Sequence, residues 1–154
     1  MRLVLNENPK WTETHLDFFI RHEMSFGLYI SEADYQEQLN CIESGNPQLR
    51  CGSNQKCYEI FQEVGEAYLG DIIVDEQNET SIYIFDEYAG NSYASQALND
   101  FVQEFRNSYP WFEAVVREEN PEKEKIKKVL LNAGFNLMTN YGNEVWRFEC
   151  KCNQ

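Results

Sequence analysis

Between Ser81 and Asn107 the chain sets down an apolar run, a cluster of small turn-forming residues and an amphipathic repeat. Ile82, Tyr83, Ile84 and Phe85 are β-branched or aromatic, as a buried strand prefers. Asp86, Glu87, Ala89, Gly90, Asn91 and Ser92 interrupt that run with turn chemistry. Ala94, Ala97, Leu98, Phe101, Val102 and Phe105 then recur at the spacing of one helix face. A helix entered this way begins with amide N–H groups that have no intrahelical partner, and small side chains let an anion approach them. The chemistry on offer is main-chain binding of a phosphate. The same residues also suit a plain strand–turn–helix corner that holds no ligand.

Other reactive side chains point to less. Cys41, Cys51, Cys57, Cys150 and Cys152 include the spacings C-x5-C and C-x-C but no C-x2-C knuckle, so no metal site is expected. His15 and His22 fall seven apart on one predicted helix and read as partly exposed helix residues. The 26 acidic residues outnumber the 13 lysines and arginines, for a formal charge of -13. Such a balance argues against nucleic acid or an anionic membrane as partner, and suits a cationic substrate such as an amine or solubility alone. Met1–Leu5 does not read as an export signal, and no apolar run reaches the roughly 20 residues of a membrane span. With an odd cysteine count, this predicts reduced thiols and a cytoplasmic location.

The elements that must position the turn follow from pattern. Arg2–Leu5 reads as a short strand. Asn8 and Pro9 suit the cap and first turn of a helix running to about His22–Met24, with Trp11, His15, Phe18, Phe19 and His22 on one face. Ser31 and Asp34 have capping-box spacing ahead of a helix ended by Gly45 and Asn46-Pro47. Gln48–Lys56 reads as a loop. Cys57–Glu63, Glu66–Asp75 and Ser81–Asp86 read as three antiparallel strands, and the helix Ser92–Asn107 links the last to a parallel neighbour, Trp111–Arg117. Asn120-Pro121 suits the cap of another helix, with Gly134 its left-handed end. Phe135–Thr139 and Val145–Cys150 make a final hairpin. The expected fold is α/β layered: one domain over residues 1–154, with a mixed, mostly antiparallel sheet of about seven strands and helices on both faces.

The stretch Glu87-Tyr88-Ala89-Gly90-Asn91-Ser92-Tyr93-Ala94-Ser95-Gln96-Ala97-Leu98 resembles the acetyl-CoA motif of the GNAT superfamily of N-acetyltransferases, commonly E-Y-R-G-K-G-Y-A-S-E-A-L. Val116-Arg117-Glu118-Glu119-Asn120 with Asn132-Ala133-Gly134-Phe135 is similar to that family's V-x-x-x-N … G-F motif, and the flavour is that of the branch containing ribosomal-protein N-acetyltransferases. The resemblance implies acetyl-CoA as co-substrate and direct transfer to a primary amine in a ternary complex. Pantetheine would lie beside Ile84, Phe85 and Asp86. The pyrophosphate would sit on the amides of Ala89, Gly90, Asn91, Ser92, Tyr93 and Ala94, and Asn120 would complete the cofactor site. A fourth-strand amide would polarise the thioester carbonyl, in a wedge between diverging fourth and fifth strands.

Departures from the motif set further expectations. The family pattern R/Q-x-x-G-x-G/A meets Ala89 and Ser92 here, and only Ala94 conforms. Leu130 stands where a proton-donating tyrosine is common. Glu79, next to the position of a family glutamate, and Glu113 on the fifth strand are the candidate general bases. Lys123, Lys125, Lys127 and Lys128 either meet the 3′-phosphate or form a solvated face with Glu124 paired to Lys128. Tyr29, Tyr35 and Tyr141 are candidates for an acceptor cleft, and exposed strand edges allow a homodimer. The competing reading is a GNAT-fold binding or regulatory domain without catalysis.

Overall fold

A computed structural model describes residues 1–26 and 29–150; Cys152 lies outside the described residues. The elements are β1 (Arg2–Asn6), α1 (Glu13–Arg21), α2 (Glu23–Phe26), α3 (Glu32–Glu43), β2 (Lys56–Phe61), β3 (Tyr68–Val74), β4 (Thr80–Ile84), α4 (Tyr93–Phe105), β5 (Trp111–Val116), α5 (Lys123–Asn132), β6 (Asn136–Thr139) and β7 (Glu144–Glu149). A 3-10 turn, Asp86–Tyr88, joins β4 to α4. The fold is α/β, with helices on both faces of antiparallel strand pairs.

The strands form two sheets instead of one, in the orders β1-β2-β3-β4 and β5-β7-β6. The sheets meet at a single parallel bridge between Glu79 and Glu113, where the Glu113 N–H donates to the Asn78 carbonyl at 2.9 Å. Beyond it β4 and β5 are not laddered to each other, which is why the expected single sheet divides there. β3 is covered on both faces and nearly continuously buried. At Gly70 a Cβ would lie 2.0 Å from the Tyr83 carbonyl oxygen, so only glycine lets β3 and β4 approach this closely.

Each helix stripe covers one face. Ala97, Leu98, Phe101 and Val102 of α4 and Leu130 of α5 pack with Ile60, Leu69, Ile72, Phe112 and Phe135 in the larger core. Phe18 and Phe19 of α1 pack on the opposite face with Tyr83 and Phe85. Burying such side chains contributes roughly 1.5–3 kcal/mol each before entropy is counted.

Several boundaries differ from expectation for local reasons. The cap of α1 is Thr12, whose Oγ1 accepts from the His15 N–H at 3.2 Å. Asn8 lies in a bend, its N–H donating to Asn6 Oδ1 at 2.9 Å, and Pro9 and Lys10 run alongside residues 48–50, tied by Trp11 N–H to Gln48 O and Arg50 N–H to Pro9 O. β4 ends at Ile84 because the Tyr88 N–H turns back to the Phe85 carbonyl. α5 starts at Lys123, and Asn120 caps the turn before it, accepting from the Glu122 N–H at 2.8 Å. His15, expected to be partly exposed, is 1% exposed, with Nε2 3.0 Å from Asp71. The Ser31 cap and the left-handed Gly134 fall where the sequence placed them.

Candidate functional site

Past the Glu79–Glu113 bridge, β4 and β5 open a cleft enclosing a cavity of about 620 Å³. Glu79 and Thr80 stand at its vertex. Ile82, Ile84 and Val115 form its walls. The start of α4 and Arg117, Asn120, Lys125 and Lys128 form its mouth, and Phe18, His22 and Phe26 border it on the α1–α2 side.

Local pairing aims main-chain groups into this space. The Phe85 N–H donates to Leu69 O at 2.8 Å, so Phe85 and Tyr83 turn their amides toward β3. Alternation then turns the main-chain groups of Ile82 and Ile84 toward the cleft. Helix α4 begins without a side-chain cap: Ser92 holds the N-cap position at φ 61° and makes no capping hydrogen bond. The first amides of α4 therefore have no intrahelical acceptor, and Ser92, Tyr93, Ala94 and Ser95 line the cavity.

The structure gathers some of the expected residues and separates others. Ile84, Ala89, Gly90, Ser92, Tyr93, Ala94 and Asn120 border the cavity. Asn91 fixes the turn instead, its side-chain amide donating to Tyr88 O and Ala89 O at 3.0 and 3.3 Å. Phe85 is buried on the other face, in the α1 cluster. Asp86 borders the cavity but accepts from Arg21 Nε at 2.8 Å and is 2.7 Å from His22 Nε2. Glu79 lines the vertex, whereas Glu113 is held by Arg147 Nη2 at 2.8 Å and does not line the cavity. Tyr29 and Tyr141 are exposed away from it, and the Tyr35 hydroxyl donates to Asp17. Glu124 pairs with Lys127 at 3.3 Å, and not with Lys128.

The electrostatics divide along the cleft. Partial burial, together with the charges of Asp75 and Glu113, holds the Glu79 carboxyl above its ordinary pKa. Burial also pushes Asp86 upward, but hydrogen bonds from His22 and Arg21 outweigh it and hold that carboxyl below its ordinary value. Leu130 is buried and supplies no proton. Of the tyrosines that border the cavity, Tyr83 donates to Asp71 and Tyr93 accepts from Gln62, while the Tyr88 hydroxyl has no hydrogen-bond partner among the described residues. Sequence reasoning passed over Tyr88 and Arg117, although both lie inside the quoted motifs. Among the described residues no group of three metal-ligating side chains is placed to hold an ion, and no helix is long and apolar enough to cross a membrane.

No protein-family model matches the sequence, and no curated protein matches it. Solved structures do match the fold. The spermidine N-acetyltransferase from Vibrio cholerae, in complex with CoA and spermine, superposes with a TM-score of 0.57 at 16% identity, over 94% of this chain and 92% of that one. The acetyltransferase of the GNAT family from Bacillus anthracis gives 0.59 at 12% identity, over 97% and 96%. The ribosomal L7/L12 α-N-protein acetyltransferase RimL gives 0.53 at 14% identity, over 98% and 95%. The chain therefore has the GNAT acetyltransferase fold.

Proposed function

We propose that residues 1–154 form a single cytoplasmic N-acetyltransferase domain that moves an acetyl group from acetyl-CoA to a primary amine in a ternary complex. The observation that carries this reading is the meeting, in one cavity, of the outward main chain of Ile82 and Ile84 with the uncapped start of α4. A strand edge of this kind suits the amides of pantetheine, and helix amides suit a diphosphate. In this reading Ile84 and the amides at the start of α4, Tyr93 and Ala94, with Ser92 and Gly90 beside them, take the binding roles and Asn120 shapes the mouth. The Ala89 amide does not, because it donates to the Asp86 carbonyl at 3.1 Å, and Asn91 holds the turn. Phe85 and Asp86 serve the α1 face instead.

The amine must lose a proton before it attacks the thioester carbonyl. Glu79, at the vertex and held above the ordinary carboxyl range, is the group to receive it. An amide of β4 aimed into the cleft stabilises the oxyanion. The departing thiolate needs a proton, and Tyr88 has the unengaged hydroxyl. The formal charge of -13 favours a cationic amine over nucleic acid or an anionic membrane. The neighbour from Vibrio cholerae holds spermine, which supports a polyamine, alongside a peptide N-terminus, in the first substrate panel.

Calorimetry with acetyl-CoA, followed by thiol release with an amine panel, tests the proposal. Micromolar binding and amine-dependent CoA release are expected; no binding at millimolar acetyl-CoA overturns it. Leu130 in place of a tyrosine, and Glu113 held by Arg147, favour the second reading, a domain that binds acyl-CoA without turnover. That reading predicts binding with no release of thiol.

A further inference from the structure

The mouth of the cleft carries cationic groups that the fold does not use. Arg117 Nη2 is paired with Glu119, yet Arg117 Nη1 is buried with no hydrogen-bond partner. Lys128 makes no ion pair among the described residues, because Glu124 is engaged by Lys127 at 3.3 Å. Lys125, beside them, is held by Glu122 at 3.2 Å. Both Arg117 and Lys128 line the cavity, in a chain whose formal charge is -13.

The turn on the opposite lip contributes no cation of its own, and the arginine beside it, Arg21, is held by Asp86 at 2.8 Å. From Asp86 to Ala94 the only charged side chains are the carboxylates of Asp86 and Glu87. The start of α4 contributes the equivalent of roughly half a positive charge. A nucleotide diphosphate brings several negative charges, so the helix alone leaves most of them uncompensated. A buried guanidinium N–H without a partner is costly unless a ligand meets it.

Resting on the acyl-donor reading above, we infer that Arg117 and Lys128 bind a phosphate of the CoA nucleotide, so that its charge is neutralised from the β5–α5 wall and not from the β4–α4 turn. The turn supplies main-chain hydrogen bonds and the facing wall supplies charge. A phosphate gripped from both walls also fixes how far the thioester reaches toward Glu79.

The test uses the full chain, titrated by calorimetry with CoA, with dephospho-CoA, which lacks the 3′-phosphate, and with pantetheine, which lacks every phosphate. Arg117→Gln is expected to weaken CoA binding about ten- to a hundredfold. Arg117→Lys should retain part of the affinity, Lys128→Gln should lose several-fold, and pantetheine should bind all variants alike. A loss shared by dephospho-CoA assigns the contact to the diphosphate; a loss confined to CoA assigns it to the 3′-phosphate. Adding Ala89→Arg to Arg117→Gln should recover affinity by placing a cation on the opposite lip, which a folding defect would not allow. Parental CoA affinity in both Arg117→Gln and Lys128→Gln overturns the inference and leaves the acyl-donor reading standing. Failure of the parent chain to bind CoA overturns both.

Discussion

On one face of β3 and β4, the Asp71 carboxylate accepts from the Tyr68 hydroxyl at 2.5 Å, from Arg50 Nη2 at 3.1 Å and from the Tyr83 hydroxyl, with His15 Nε2 at 3.0 Å. Thr12 Oγ1 closes the network at 2.6 Å from His15 Nδ1. On the other side, where β4 parts from β5, α4 starts uncapped, Arg117 Nη1 has no partner and Glu79 is partly stripped of water. Two polar sites separated by one strand thus obey opposite rules. The first satisfies its carboxylate, imidazole and hydroxyls within the chain, leaving Arg50 Nε without a partner, and is closed to water. The second leaves donors open along a cavity. Tyr83 belongs to both: its hydroxyl is fixed on Asp71, while the main chain on either side of it faces the cleft. The closed site holds β4 still, and the open one uses that rigidity.

The largest expected effect is on the closed site. Asp71→Ala leaves the Arg50 guanidinium, 3% exposed, with only the more distant carboxylate of Glu59 at 4.0 Å. Removing one partner of a buried pair costs about 3–5 kcal/mol, read as a shift in urea unfolding. A loss within the roughly 0.5 kcal/mol of a surface substitution would collapse the contrast between the two sites. The pH dependence has a definite sign. Burial pushes the Asp71 carboxyl upward, but hydrogen bonds from His15, the charge of Arg50 and the tyrosine hydroxyls hold it below its ordinary value. Its stabilisation is therefore full above the unfolded pKa of about 3.9 and is lost as pH falls through the lower folded value.

Glu79 should behave in the opposite way. Its pKa is raised, so its ionised form is disfavoured in the fold, and Glu79→Gln should leave stability unchanged or improved. The effect appears in turnover. Loss of a general base costs about 10²–10⁴ in rate. Because the base must be ionised, kcat/KM in the parent should fall as pH drops through the raised pKa, and that limb should vanish in Glu79→Gln. An unchanged acid limb would show that another group accepts the proton and would narrow the open site to a binding role.

The sequence shows the open site better than the closed one. Periodicity exposes the α4 stripe, and a row of small residues exposes the turn before it, because both are local signals. The wedge is implied only by the resemblance to the GNAT family, since no local pattern marks where two neighbouring strands part. The network around Asp71 has no local signature, since His15, Arg50, Tyr68 and Tyr83 come together only when α1 lies across β3 and β4. An alternating pattern marks a residue as inward but not as paired. Thr12 displaces Asn8 as helix cap for a similar reason: main-chain pairing with residues 48–50 keeps Pro9 and Lys10 extended. Glu113 reads as a free carboxylate until β7 brings Arg147 opposite it.

The smallest expected effect concerns strain at the open site. Ser92 adopts a left-handed backbone at φ 61°, which costs a residue with a Cβ roughly 1–2 kcal/mol. The closed network shows no such residue: the left-handed non-glycine positions among the described residues are Glu66, Asn78 and Ser92. Ser92→Gly removes that strain but gives the unfolded chain more freedom, worth about 0.5–1 kcal/mol, so thermal stability should barely move. CoA binding should tighten several-fold in calorimetry, because the amides at the start of α4 become easier for a phosphate to reach. Weaker binding would mean that the Ser92 hydroxyl itself touches the phosphate. The open site would then rely on a side-chain donor on the turn as well as on bare main chain, and the division of labour between turn and facing wall would have to be redrawn around Ser92.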